Sequence, residues 1–142
     1  MDEPIYFDGF ATTPLAPEAR AAMILASSQP GNPGSPHLSG ARASATLEKA
    51  REDVASLVGA DAQGLIFTSG ATESDNLAIR GVALWALQAG SSRRKIVVYA
   101  IEHKAVLEAA DSLRNLRFQI IRAPVTNKGV IDIEAAERQI DA

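Results

Sequence analysis

The chain has 142 residues, a formal net charge of −3, 46% hydrophobic and 22% charged residues, which suits one compact domain and excludes wholesale disorder. A slightly acidic balance offers no basic footprint for nucleic acid, and no apolar stretch approaches the length that crosses a bilayer. The cysteine count is 0, which excludes disulfides, thiolate metal sites and a cysteine nucleophile on these residues.

Twenty-six alanines against seven aromatics point to closely packed helices rather than an all-β core. Residues 1–16 read as irregular, with an apolar start (Ile5, Tyr6, Phe7) punctuated by Pro4, Gly9 and Pro14. A short helix follows, with Pro17 in its first turn and Ala21, Ile24 and Leu25 facing inward; it ends before Pro30. Residues 30–40 hold three prolines and three glycines, the composition of an ordered loop. From about Ala41 to Val58 the spacing of Leu47, Ala50, Val54 and Leu57 predicts a helix, with Gly59 as its stop.

Leu65-Ile66-Phe67 reads as a short strand running into Thr68-Ser69-Gly70-Ala71-Thr72 and a helix of about 18 residues ending near Gly90. That helix is apolar nearly all round, through Leu77, Ile79, Val82, Leu84, Trp85 and Leu87, and is expected to be mostly buried. Ile96 to Ala100 is a β-branched strand without strict alternation, as in a parallel sheet covered on both faces. A helix from about Lys104 to Asn115, a strand from Arg117 to Arg122, a turn at Asn127-Lys128-Gly129 and a helix from Asp132 complete the pattern. Alternating strands and helices from residue 65 predict an α/β fold with a mainly parallel sheet and flanking helices.

The strongest chemical signal is the passage from strand through T-S-G-A-T-E into a helix. A helix N-terminus carries unpaired N–H groups and the positive end of the dipole, which suits a phosphate. Gly70 and Ala71 expose backbone, and Ser69 and Thr72 add hydroxyl donors. The same residues read equally as a plain cap, since Thr72-Glu73-Ser74-Asp75 fits a capping box. The turn lacks the lysine of a P-loop and is not G-x-G-x-x-G. His103 falls just past the carboxyl end of the Ile96–Ala100 strand, where open α/β sheets place ligands; the alternative is an ordinary loop histidine. Glu102 is a candidate to orient it, and Lys104 reads as a solvated charge more readily than as a Schiff-base amine.

Four segments together resemble the cysteine desulfurases, pyridoxal-phosphate enzymes of the class V aminotransferase group. They are Y-F-D-G-F-A-T-T-P-L-A-P-E-A (Tyr6 to Ala19), G-N-P-G-S-P-H-L-S-G (Gly31 to Gly40), F-T-S-G-A-T-E-S-D-N-L-A (Phe67 to Ala78) and E-H-K-A-V-L (Glu102 to Leu107). Their order and spacing match the family's throughout, so the resemblance covers essentially the whole chain. Gly34 replaces a usual serine, Ala41 a frequent arginine, and Gly9-Phe10 an asparagine-rich pair.

The resemblance implies the N-terminal part of the fold-type I large domain: an irregular segment over 1–16 and a partial pyridoxal-phosphate-binding domain over 17–142. It gives Gly70, Ala71 and Thr72 to the cofactor phosphate and His103 to the pyridine ring, with a part in proton movement. It places Thr12, Thr13 and the His37 loop near the mouth of the site. The implied reaction takes sulfur from L-cysteine, leaving alanine and an enzyme persulfide for a sulfur-acceptor protein in iron–sulfur or thiocofactor assembly. The family's Schiff-base lysine and nucleophilic cysteine fall beyond these residues, which implies a desulfurase portion inactive in isolation. The alternatives are a non-catalytic phosphate-binding or dimerisation module, half of a split enzyme, or another class V enzyme. An incomplete sheet leaves edges and apolar faces uncovered, above all around Trp85, so a homo-oligomer or poor solubility is expected. Without a signal peptide pattern, the expected location is cytoplasmic, with no membrane or nucleic-acid partner.

Overall fold

The computed structural model describes residues 5–141, and the chain divides into two compact units, Met1–Leu65 and Ile66–Ala142.

In the first unit, residues 5–16 contain no helix or strand. Helix α1 (Pro17–Ser27) opens with proline at its start and Glu18 in its first turn, both suited to the free N–H groups there. Ala21, Ile24 and Leu25 do not face inward; all three are exposed, because no described element packs extensively on α1.

Helix α2 (Leu38–Val58) starts three residues earlier than its periodicity predicts, because His37 caps it: the Gly40 N–H donates to Nδ1 at 3.3 Å. It closes on Gly59 at φ 66°, and the Ala60 N–H reaches back to the Ala55 carbonyl at 2.9 Å. The covered face also differs from expectation. Gly40 and Ala55 are buried and Ala43, Ser44, Leu47 and Arg51 half-buried, whereas Ala50, Val54 and Leu57 are exposed. Periodicity selects the most apolar stripe. What α2 meets is the 31–37 loop and the short 3-10 turn Ala62–Gly64, and close backbone contact there selects small residues. Arg51 also reaches the Leu65 carbonyl with its guanidinium.

The second unit is α/β, as the alternation predicts. Strands β1 (Lys95–Tyr99) and β2 (Gln119–Ala123) are parallel and pair in register from Lys95–Gln119 to Tyr99–Ala123. Helix α4 (Lys104–Asp111) crosses between them and gives way to a 3-10 turn, Ser112–Leu116, rather than continuing to Asn115 as an α-helix. Arg117 adopts a left-handed φ of 64°, outside any ladder, so β2 begins two residues later than predicted. The predicted strand at Leu65-Ile66-Phe67 does not form. A strand exists only by pairing, and the one described sheet consists of β1 and β2 alone.

Helix α3 (Ala71–Gln88) packs on α4, α4 on β1, and α5 (Ile133–Asp141) on both strands. Ala83, Val98, Ala110, Leu113, Phe118 and Ile120 form the core, with Ile79 and Leu87 from α3 packed against it. The alanines let α4 sit close: Ala105, Ala109 and Ala110 are all buried. The expectation that α3 is mostly buried fails. Only its Ala83 is buried, while Val82 and Trp85 are 67% and 68% exposed, because α4 covers one side and no other described element of this unit packs extensively on α3. Among the described residues no helix is long and apolar enough to cross a membrane.

Asp111, at the end of α4, accepts from Arg114 Nε at 3.0 Å and from Arg122 Nη2 at 2.7 Å, tying the helix end to β2. The hydrogen bond from Arg114, then that from Arg122, holds its carboxyl below the usual range. A lowered folded-state pKa means that this contribution is present above the unfolded value and lost as pH falls through the folded one. Asp111→Asn is therefore expected to lower the melting temperature slightly at neutral pH and to shrink its fall below about pH 4. Parallel melting curves for the two proteins down the acid range would show the tie to be idle.

Candidate functional site

The turn before α3 is built from residues 68–74. Gly70 is the N-cap residue, at φ 156° and ψ −177°, a conformation essentially confined to glycine. A Cβ there would meet no atom within 4 Å, so the requirement is torsional and not one of space. No side chain caps this helix end. The first intrahelical bond is from the Ser74 N–H to the Gly70 carbonyl at 3.1 Å, so the amides of Ala71, Thr72 and Glu73 stand ahead of it at the positive end of the dipole.

Two side-chain pairs brace the turn. The Glu73 carboxylate accepts from the Ser69 N–H at 2.7 Å and from the Ser69 hydroxyl at 2.6 Å. The Thr68 and Ser74 hydroxyls lie 2.7 Å apart. The hydroxyl bond and then the backbone bond from Ser69 hold the Glu73 carboxyl below its usual range. The expected capping box at Thr72-Glu73-Ser74-Asp75 is not formed, since the helix already begins at Ala71. Its glutamate does reach back, but past the N-cap to the N–H and hydroxyl of Ser69. The signal for this was the glycine itself, which sets the helix start. The Thr72 hydroxyl enters no hydrogen bond among the described residues, and its carbonyl accepts from Asn76 at 2.9 Å.

His103 is the N-cap of α4, four residues past the end of β1. The Ala105 N–H donates to its Nδ1 at 3.2 Å. A nitrogen that accepts carries no proton, so the neutral ring bears its hydrogen on Nε2, the nitrogen that takes no part in the cap. Glu102 does not orient the imidazole; the helix it caps does. Lys104 lies exposed with its Nζ 3.4 Å from Glu108, the solvated ion pair of the plainer reading. Both histidines of the chain thus cap helices through Nδ1, a shared role that was legible only as a residue type before a helix.

Gly70, Ala71, Thr72 and His103 all lie in the second unit, at the N-termini of two helices packed on one another. No hydrogen bond joins His103 to the 68–74 turn among the described residues. His37, Thr12 and Thr13 belong to the first unit. An open apolar cleft of about 640 Å³ lies elsewhere in the second unit, along the carboxyl half of α3 between Trp85 and Phe118, with Arg93 and Lys95 on its wall. A smaller one of about 490 Å³ touches Thr68 and Ser74 and runs along α3 to Trp85.

The Aminotransferase class-V family model matches residues 5–142. The chain is 42% identical over 139 residues to the mitochondrial cysteine desulfurase of Drosophila melanogaster, covering 96% of this chain and 29% of that protein. Among solved structures, a NifS-like protein superposes with a TM-score of 0.87 at 38% identity, over 94% of this chain and 36% of its own. SspA in complex with cysteine superposes with a TM-score of 0.73 at 34% identity, over 82% of this chain and 33% of its own. The chain spans about a third of the length of these proteins. With an α/β fold in common and a family model that runs over residues 5–142, the chain belongs to the class-V aminotransferases.

Proposed function

We propose that these residues are the N-terminal portion of a cysteine desulfurase and hold one side of its pyridoxal-phosphate site. The observation that carries the reading is the turn before α3: a helix end left without a side-chain cap, opened by a glycine at φ 156°. The fit to a phosphate is chemical. Successive backbone N–H groups and an unengaged Thr72 hydroxyl make a donor set for an anion, and no capping side chain competes for it.

Gly70, Ala71 and Thr72 bind the cofactor phosphate in this reading, and His103 stacks on the pyridine ring. Its cap to Ala105 fixes the ring's orientation and leaves Nε2–H as the proton available to the substrate side. Bound pyridoxal phosphate supplies an electron sink next to the substrate carbon. The substrate class is L-cysteine, whose carbon–sulfur bond breaks to give alanine while its sulfur joins a thiolate as a persulfide. The chain has no cysteine, so that thiolate comes from other polypeptide; the Schiff-base lysine does too in this reading, since Lys104 falls in the E-H-K segment and not in the family's later S-x-H-K segment. A sulfur-acceptor protein and a cytoplasmic location complete the proposal. Self-association is part of it too, supported by the exposed Val82 and Trp85.

The purified 142-residue chain is expected to bind pyridoxal phosphate through its phosphate and to release no alanine from L-cysteine. Alanine formation at enzymatic rates by this chain alone would overturn the portion reading. Absence of any cofactor effect on the Ala71 and Thr72 amide signals would remove the site. Light scattering on the same sample is expected to give an oligomer, and a monodisperse monomer would remove self-association.

A further inference from the structure

An ordinary glutamate in the first turn of a helix turns its carboxylate onto that helix's own free N–H groups. Glu73 does something else: it passes the N-cap and takes both donors of Ser69, at 2.7 Å and 2.6 Å, while the Gly70 N-cap has no side-chain partner. On the other side of the glycine the Thr68 and Ser74 hydroxyls meet at 2.7 Å, and the Thr68 hydroxyl also donates to the Gly70 carbonyl at 3.2 Å. Gly70 is thereby held from both flanks in a conformation it would otherwise leave freely, since nothing crowds it. We propose that Glu73 is a positioning residue of the phosphate turn: its carboxylate clamps Ser69 by N–H and hydroxyl, locks Gly70, and leaves the Ala71 and Thr72 amides unpaired for the anion. The proposal rests on the phosphate reading of this turn given above.

Two physical effects of the carboxylate oppose each other, so the sign of one measurement separates them. As a clamp, Glu73 preorganises the amides and tightens anion binding. As a bare negative charge close to the site, it repels the anion and weakens binding. The lowered carboxyl pKa means that the charge is present at neutral pH, which is the state in which both donors of Ser69 are held most strongly.

The test is a titration of the full chain with inorganic phosphate at neutral pH, read from the amide signals of Ala71 and Thr72. Glu73→Ala is expected to weaken binding roughly tenfold, the order of one lost hydrogen bond to a charged group. Glu73→Gln keeps a carbonyl oxygen for Ser69 and is expected to recover most of that loss. The β1–β2 amide signals should stay in place in both variants, which separates positioning from general unfolding. Should Glu73→Ala fail to fold, Ser69→Ala removes the hydroxyl half of the clamp alone and is expected to give a smaller loss in the same direction. Unchanged or tighter phosphate binding in Glu73→Ala would overturn the clamp and leave the phosphate site standing. No saturable shift at Ala71 and Thr72 in the unsubstituted chain would overturn both.

Discussion

Gly40→Ala is expected to unseat the 31–37 loop from α2 and to cost about 3 kcal/mol, the upper range of overpacking. A Cβ at this position would lie 2.1 Å from the Ser35 carbonyl oxygen and 2.9 Å from the Asn32 carbonyl oxygen. Both are backbone atoms, so no side chain can swing aside. The loop itself is stiff: the Ser35 N–H donates to the Asn32 carbonyl at 2.9 Å, the His37 N–H to the Ser35 carbonyl at 2.9 Å, and prolines fix φ between them. Gly31 faces the same interface, where a Cβ would meet the Ser39 carbonyl oxygen at 2.5 Å. Moving the loop also draws His37 away from the Gly40 N–H and uncaps α2. Urea unfolding followed by far-UV circular dichroism measures the loss. A midpoint equal to that of the unsubstituted chain would show that the loop is not seated on the helix.

The second large effect is at Gly70. Gly70→Ala is expected to cost about 2 kcal/mol in backbone strain alone, because φ 156° with ψ −177° is essentially closed to residues with a Cβ. The chain can escape the strain only by rotating Gly70, and that rotation redirects the Ser69–Ala71 backbone. Stability and phosphate affinity should therefore fall together, with the Ala71 and Thr72 amide signals displaced before any ligand is added. Gly81 supplies the control from within the same helix. It sits in the interior of α3 with open space for a Cβ and no positive φ, so Gly81→Ala is expected to stabilise by about 0.5–1 kcal/mol. Equal effects of the two substitutions would mean that Gly70 plays no conformational part in the turn.

The two glycines show how differently neighbouring problems read from sequence. Gly70 was legible, since strand-like residues, a glycine, then T-E and a helical pattern mark a helix entry whatever surrounds it. Gly40 was legible only as one letter of a loop motif. Its burden comes from Ser35 and Asn32 folding back onto α2, a contact that no local propensity encodes. His103 is likewise legible from its place after a strand, but its Nδ1 bond to Ala105 depends on where α4 starts. Glu73 reads in the sequence as part of a capping box and in the structure serves Ser69, because the helix begins one residue before that box.

By itself the sequence determined the helices, the α/β alternation, the glycine entry to α3 and the four motifs that place the chain among the class-V aminotransferases. All of these depend on propensity and short-range spacing, which act within one or two turns of chain. Tertiary structure decided the rest. It left Leu65-Ile66-Phe67 without a ladder, because a strand needs a partner and β1 and β2 pair only with each other in the described sheet. It chose small residues over the most apolar stripe of α2, because backbone approach outweighs burial where a loop lies flat on a helix. It left Trp85 in the open, because hydrophobicity drives a side chain inward only where another layer exists to receive it.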